Sequence, residues 1–444
     1  MKMLIIADDL TGAADCGAAW AGYGIDTVVQ LHKADEGLAN AAVVEKVEVL
    51  AIDTDTRCLD AEHAAERVAQ LVGHYEDIGS GIDGVLLYKK LDSTLRGNVA
   101  AELAAALKVR RARTSSKERV VVLLAPAFPA HGRTTVRGRQ MMHGKFLEEI
   151  DSGKYERVSG RSNIVEIIGE AGLSSGIIEL AVVRSGAGSL ESAMVRMARQ
   201  VDVLVCDAET DADLKAIASG AVVLGRRTVW AGSAGLARHI PIAFGFEDTP
   251  KSALGGTFLR GPKLFVVGSP ASASREQGRA LAAGSTIVPF TIPHSVLLNR
   301  QSSGWREYAR LISERLQSGD DVLVVLDCKD QCSREEGRLL TQSLATITQP
   351  CAKFAGALVA TGGETARAIL DAWGINRLRL AGEVEPGLPY SITADWDREI
   401  LVLTKAGGFG RPGTLLHCRE FLETFRRGAE IFEVQSTLND NQKR

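Results

Sequence analysis

The chain has 444 residues, 45% of them hydrophobic and 24% charged, with a formal net charge of −3. At roughly 100–200 residues per domain this length supports two or three domains with a sizeable core, and the composition excludes a disordered or fibrous chain. The near-balanced charge leaves no electrostatic footprint for nucleic acid or an anionic membrane, and no run approaches the roughly 20 apolar residues that cross a bilayer.

The start, Met1-Lys2-Met3-Leu4-Ile5-Ile6-Ala7, meets Asp8-Asp9 too soon for a secretory segment. The seven cysteines are scattered and odd in number, and the nearest pair, Cys328 and Cys332, has no partner pair. They read as reduced thiols of a cytoplasmic protein. The eight histidines form no zinc-binding pattern, and no metal ligands can be assigned.

Glycine is frequent (45 residues), and short β-branched runs alternate with Ala-rich helical patterns. This predicts α/β architecture with tight strand-to-helix turns. Strands are predicted at Met3–Ala7, Thr27–Leu31, Val47–Ile52, Gly84–Tyr88, Val120–Leu124, Ile178–Val183, Val201–Cys206 and Thr228–Ala231. Helical patterns lie between most of them, as at Asp60–His74 and Leu190–Arg199. Arg110–Arg119 reads as a solvated loop. Breaker residues over 244–262 predict a linker, which gives domains at 1–245 and 262–432. A second series follows, with strands at Lys263–Val267, Ile287–Pro289, Asp321–Leu326, Ala357–Ala360, Leu378–Ala381 and Ile400–Leu403, and a last helix at His417–Ile431. Each domain is expected to be a largely parallel sheet flanked by helices.

Open α/β sheets bind ligands at the carboxyl ends of their strands. After the first strand come Asp8 and Asp9, more carboxylate than a helix cap needs. After the third comes Asp53-Thr54-Asp55-Thr56-Arg57. After the fourth comes Lys89-Lys90-Leu91-Asp92-Ser93-Thr94-Leu95-Arg96-Gly97-Asn98, a turn dense in charge and hydroxyl that suits a small polyhydroxylated anion. A rigid loop after the fifth carries His131 and Arg133. In the second half, Gly268-Ser269, Thr361-Gly362-Gly363-Glu364-Thr365 and Lys405-Ala406-Gly407-Gly408-Phe409-Gly410 follow predicted strands. Such glycines let backbone N–H groups approach phosphate, and Lys405 offers a point charge. No Walker motif is present. Gly408–Gly413 fits a GxGxxG spacing, but Pro412 and the lack of a following strand argue against a dinucleotide site.

These blocks, in this order and across roughly residues 2–430, resemble the four-carbon acid sugar kinase family. The resemblance implies an acid-sugar-binding first domain, an ATP-binding second domain, and phosphorylation of the substrate's 4-hydroxyl. It places Ser269, Gly362, Gly363, Glu364, Thr365 and Gly407 in the ATP site, beside the loop residues Lys405, Gly408 and Gly410. Relatives often continue Gly-Ser with Cys-Ser, where this chain has Pro270-Ala271. The 89–96 and 405–409 segments look like the branch acting on D-threonate or D-erythronate. D-threonate is the favoured substrate; D-erythronate, a 3-oxo-tetronate and a sugar-acid sensor without turnover stay open.

Asp8, Asp9 and Asp92 are the candidates to orient the acceptor hydroxyl and take its proton. Arg57, Lys90 and Arg96 are candidates for the substrate carboxylate or the moving phosphoryl group, with Lys89, Ser93, Asn98, His131 and Arg133 completing the substrate set. Mg²⁺ is expected on the ATP oxygens. The expected partners are the acid sugar and ATP, with no nucleic acid and no membrane; a homo-oligomer stays open. Domain closure is expected to exclude water.

Overall fold

The computed structural model describes residues 1–32, 47–78, 85–114, 119–150, 159–246, 261–327, 333–394 and 396–425. Most of the predicted linker, the Cys328/Cys332 pair and the last residues of the predicted final helix lie outside them. The chain divides into two compact units, Met1–Lys251 and Ser252–Arg444.

The first unit contains β1 (Met3–Ala7), β2 (Thr27–Leu31), β3 (Val49–Asp53), β4 (Leu86–Lys90), β5 (Val122–Ala125), β6 (Arg133–Val136), β7 (Arg139–Met142), β8 (Lys145–Phe146), β9 (Ser175–Ile178), β10 (Val203–Cys206) and β11 (Val229–Gly232). The main sheet has the order β2-β3-β1-β4-β11-β5-β10-β9, with parallel neighbours. β1 is fully buried along its length. Helices cover both faces of such a sheet, so its strands read as continuous apolar runs rather than alternating ones. Leu4, Ile6 and Leu87 pack with Val68 and Leu71 of one helix and Leu103 of another. A separate 3-stranded sheet, β6-β7-β8, follows β5.

The second unit contains β12 (Lys263–Val267), β13 (Val288–Pro293), β14 (Val322–Asp327), β15 (Ala357–Thr361), β16 (Arg377–Glu385), β17 (Leu388–Ala394) and β18 (Leu401–Lys405). The order is β13-β14-β12-β15-β18-β17-β16. The neighbours β13-β14-β12-β15-β18 pair in parallel, and β17 is antiparallel to both β16 and β18. Each unit is α/β, a largely parallel sheet flanked by helices.

Both units repeat one arrangement: the second, third, first and fourth strands lie side by side. The chain leaves the first strand toward one edge and the fourth toward the other. The crevices at the carboxyl ends of β1/β4 and β12/β15 are therefore topological switch points, where open α/β sheets bind ligands.

Several local expectations are corrected. The predicted strand Ile178–Val183 is a strand only to Ile178, because β9 pairs with β10 over Ser175–Ile178; Leu180–Val183 then turns helical despite its β-branched residues. The predicted loop from Arg110 begins inside the helix Val99–Arg113, and Arg110 is fully buried on Glu76. The 3-stranded sheet and β17 have no counterpart among the predicted strands. Lys89 and Lys90 belong to β4, not to the turn after it. The final helix covers 414–425 within the described residues.

Candidate active site

In the first unit β1, β3 and β4 end at one level: Ala7 pairs with Asp53 on one side and Lys90 on the other. The residues that follow converge there. Asp9 caps the helix Leu10–Ala21, accepting from Gly12 N at 2.9 Å and from Thr11 Oγ1 at 2.7 Å. Arg57, from the loop after β3, donates to Asp8 through Nε (2.7 Å) and Nη2 (3.0 Å), and to Asp9 through Nη1 (2.6 Å). Its Nη2 lies 3.8 Å from Asp92.

Asp92 is held by its own turn. Arg96 grips it through Nε (2.8 Å) and Nη2 (2.6 Å), and the Thr94 hydroxyl and backbone N–H also donate to it. Burial alone would raise the Asp92 carboxyl, but Arg96, Arg57 and Lys90 outweigh it and hold it well below the usual carboxylate range. Asp9 is lowered too, with Arg57 and Lys90 overcoming its burial. These carboxylates stay ionised, which suits orienting a hydroxyl and makes each a weak base. Asp55 (φ 52°) and Leu95 (φ 57°) sit in the left-handed region beside them, strain of the kind found at functional sites.

The two lysines of β4 separate because successive strand residues face opposite sides of the sheet. Lys89 is fully buried against Glu102 of the helix Val99–Arg113 (2.7 Å) and also donates to the Ile6 and Lys90 carbonyls. It forms a core ion pair. Lys90 projects toward the helix Leu10–Ala21, where a Cβ on Gly12 would stand 2.6 Å from both Lys90 Nζ and Asp9 Oδ1. Burial disfavours its charge, yet Asp8 and Asp9 raise its pKa. Among the described residues no acceptor lies within hydrogen-bonding distance of Lys90 Nζ. Ser93 is 8% exposed, and its hydroxyl likewise has no partner among them.

Three further predicted ligands are tied to the backbone or rings around these loops. Asn98 ties the loops together by donating to the carbonyls of Thr56 (3.1 Å) and Leu59 (2.9 Å). Arg133 Nη1 donates to the His131 carbonyl at 2.6 Å. The His131 ring meets Phe128 edge-on; burial first, then Arg133 and Arg238, push its imidazole down to about 4. It is neutral at pH 7.

In the second unit β12, β15 and β18 are neighbours whose ends align, with Val267 level with Thr361 and Thr361 with Lys405. The three glycine loops meet there. A Cβ on Gly407 would stand 2.0 Å from Ser269 Oγ, and one on Gly268 would stand 2.4 Å from Thr365 Oγ1. Gly362 has φ 93° and Gly410 φ 88°, conformations that side chains disfavour. Gly362 caps the helix Gly363–Trp373 without a side chain, and Ala271 does the same for Ser272–Gly284. Asp9 fills that position in the first unit. At these strand ends two helix N-termini thus lack a capping side chain, a setting that suits anionic oxygens. Glu364 is exposed in the first turn of its helix, and Gly408 is exposed in the 405–410 loop.

Lys405 is buried, and its Nζ donates to the carbonyls of Ala406 (2.9 Å) and Phe409 (2.8 Å). Ser274 and Gln277 hold the same loop through Gly407 O (2.7 Å) and Phe409 O (2.9 Å). Lys405 therefore braces the loop from within. Ser274 and Gln277, three apart on one helix face, escape the sequence reading because that spacing is also how any core-facing polar pair looks. Among the described residues no group of three or more His, Cys, Asp or Glu could hold a metal.

Residues 3–240 match the family described as a sugar-binding N-terminal domain, and 264–415 the one described as a nucleotide-binding C-terminal domain. A D-threonate kinase of Cupriavidus necator is 37% identical over 94% of this chain and 97% of its own. The chain belongs to the four-carbon acid sugar kinase family. A D-threonate kinase of Salmonella typhimurium is 30% identical over 95% of this chain and 99% of its own. A D-erythronate kinase of Heliobacterium modesticaldum is 28% identical over 95% and 97%. The fold recurs in a crystal structure of a Salmonella typhimurium protein (TM-score 0.75, 18% identity, covering 94% of this chain and 98% of that one). Membership in this kinase family makes the chain a phosphotransferase with ATP as donor and a small molecule as acceptor. No described helix is long and apolar enough to cross a membrane.

Proposed function

We propose that the chain transfers the γ-phosphoryl group of ATP to the 4-hydroxyl of a four-carbon acid sugar, D-threonate first among them. The observation that carries this reading is the chemistry at the two switch points. At β1/β4, ionised carboxylates lie beside a lysine and a serine that lack hydrogen-bond partners among the described residues. At β12/β15, glycine loops surround two helix N-termini without capping side chains. The first suits a small hydroxylated anion, the second a polyphosphate. The relatives named for D-threonate favour that acid over D-erythronate and 3-oxo-tetronate.

In this reading Lys90 takes the anionic end of the acid sugar, and Ser93 hydrogen-bonds a hydroxyl. Asp8, Asp9 and Asp92 hold the acceptor hydroxyl in line. Phosphoryl transfer passes through a loose transition state, so positioning and charge neutralisation matter more than a strong base. Arg57 and Arg96 keep the carboxylates charged and fixed. The N–H groups at Gly363–Thr365 and of Ser269 and Ser272 take phosphate oxygens. Mg²⁺ bound to the triphosphate would neutralise charge there and would need few protein ligands.

A coupled ADP-release assay with Mg-ATP tests the reading against D-threonate, D-erythronate, their L-isomers and 3-oxo-tetronate. ADP is expected only with an acid sugar, fastest with D-threonate. Equal ADP release with and without every acid overturns the kinase assignment, and a different preferred acid overturns the substrate.

A further inference from the structure

The small sheet β6-β7-β8 has no place in the reading above. It grows out of the loop after β5, the one that carries His131 and Arg133. One of its side chains reaches back to the site. Gln140, on β7, is fully buried. Its Nε2 donates to the Ser93 carbonyl at 2.7 Å and lies 3.4 Å from the Pro126 carbonyl. Its Oε1 accepts from Thr135 Oγ1 of β6 at 2.7 Å, which fixes the amide's orientation. Its backbone N–H donates to Ser162 O at 2.8 Å.

The small sheet is itself anchored. Thr135 exchanges backbone bonds with Ala208, and Asp207 accepts from the N–H groups of Arg137 (2.7 Å) and Gly138 (2.9 Å) at the β6–β7 turn. Outside that sheet, Ser159 N donates to the Thr94 carbonyl at 3.2 Å, a separate hold on the loop after β4. Gln140 is therefore the side chain through which a braced element grips two loops at once, those after β4 and β5.

We propose that Gln140 is a positioning residue for the acid-sugar site, and that it sets where the Ser93 hydroxyl and the Asp92 carboxylate stand. This rests on the reading that the loop after β4 binds the acid sugar. Ser93 and Asp92 are adjacent, so a shift of the Ser93 peptide moves both. An amide is the group that fits between these partners, because it donates toward two carbonyls and accepts from a hydroxyl. A carboxylate of the same size could only repel the carbonyls. The Gln140–Ser93 contact spans 47 residues of chain, so local sequence carries no trace of it.

The test compares wild type with Gln140→Leu, Gln140→Glu and Thr135→Val. Calorimetry reads the Kd for D-threonate and, separately, for ATP; steady-state kinetics reads KM and kcat. Both Gln140 variants are expected to lose roughly 10–100-fold in acid-sugar kcat/KM, the scale on which about an ångström of misplacement is felt. Their ATP affinity should stay at the wild-type value. Thr135→Val should show a smaller loss of the same kind, and it decides alone if the Gln140 variants do not fold. A Gln140 that only stabilised the fold would lower the melting temperature and leave D-threonate affinity unchanged; that outcome overturns the proposal. Wild type that binds D-threonate without releasing ADP overturns the kinase reading instead and leaves the Kd comparison to decide the role of Gln140. Wild type that binds no acid sugar overturns both.

Discussion

Arg57 and Asp8 form a two-bond fork across 49 residues of sequence, Nε to Oδ2 at 2.7 Å and Nη2 to Oδ1 at 3.0 Å. The same guanidinium also reaches Asp9 and lies near Asp92. One cation from the loop after β3 thus gathers carboxylates from the loops that follow β1 and β4. Arg57→Met should leave those carboxylates crowded and short of positive charge, a loss of about 3–5 kcal/mol if the pair behaves as a buried one. Asp9 would lose part of the lowering that Arg57 gives it, so the stability its ionised form contributes above the unfolded carboxylate pKa should shrink in the variant. Arg57→Lys should rescue little, because an ammonium cannot reproduce the fork. Melting curves at pH 5 and 7 check this, and a variant as stable as wild type at pH 7 refutes the hub.

Lys89 and Lys90 are neighbours in sequence with opposite predicted phenotypes. Lys89→Met strands the buried Glu102 carboxylate and should cost about 3–5 kcal/mol of stability. Lys90→Met removes the ammonium that has no hydrogen-bond partner among the described residues. It should raise the acid-sugar KM by roughly 10–100-fold, as expected for the loss of a charge-assisted bond, and should change melting less. Denaturant unfolding and steady-state kinetics on both variants separate the roles. The assignment fails if Lys89→Met carries the KM effect.

This contrast shows what was legible in the sequence. The strands, their order of appearance and the charged loop ends could be read because apolar runs and breakers are local signals. The cluster Asp8, Asp9, Arg57, Asp92 and Arg96 could also be read, since all of it sits at strand ends. The partners were hidden. That Lys89 faces Glu102 depends on where β4 ends, a shift of two residues from the predicted boundary. That Lys405 turns back on its own loop depends on carbonyls of residues up to four further on, which residue type does not reveal. The 3-stranded sheet was missed because its strands are short and carry Arg, Gln and Thr instead of an apolar run.

The nucleotide loops give a separable prediction. Gly407 faces Ser269 with no room for a Cβ, and Lys405 holds the loop from beneath. Gly407→Val and Lys405→Met should each weaken ATP binding by about tenfold or more while D-threonate affinity stays unchanged, because the loop loses the shape that presents its N–H groups. Calorimetry with each ligand alone checks it. Unchanged ATP affinity in folded variants places the nucleotide elsewhere.

His131 supplies the pH prediction. Its imidazole titrates near 4 in the fold and near 6.5 in the unfolded chain. Between those values the unfolded chain takes up a proton that the folded one refuses. Stability from this group is therefore complete above about 6.5 and drains as pH falls toward 4. His131→Asn should flatten that slope in urea titrations. The ring proton resonances of His131 should show no midpoint between pH 5 and 8, and a midpoint near 6.5 refutes the assignment.

Asp92 and Arg96 provide the last test, because the fork between them constrains how each can act. Arg96 spends its Nε/Nη2 edge on Asp92, so the place of its remaining donors is set by that grip. Asp92 is held well below the usual carboxylate range, so its contribution is orientation of the acceptor hydroxyl more than proton removal. Both statements make the pair a unit. Asp92→Asn should cut kcat by roughly 10²–10⁴-fold with a smaller change in the acid-sugar KM. Arg96→Gln should cut kcat as well, because it frees Asp92 from its fixed geometry. The double variant should then be no worse than the more impaired single one, a strongly non-additive cycle. Independent roles, with Arg96 on the substrate and Asp92 on the hydroxyl, predict that the two losses multiply and that Arg96→Gln acts mainly on KM. Steady-state constants for the two single variants and the double variant, with D-threonate and saturating Mg-ATP, distinguish the two.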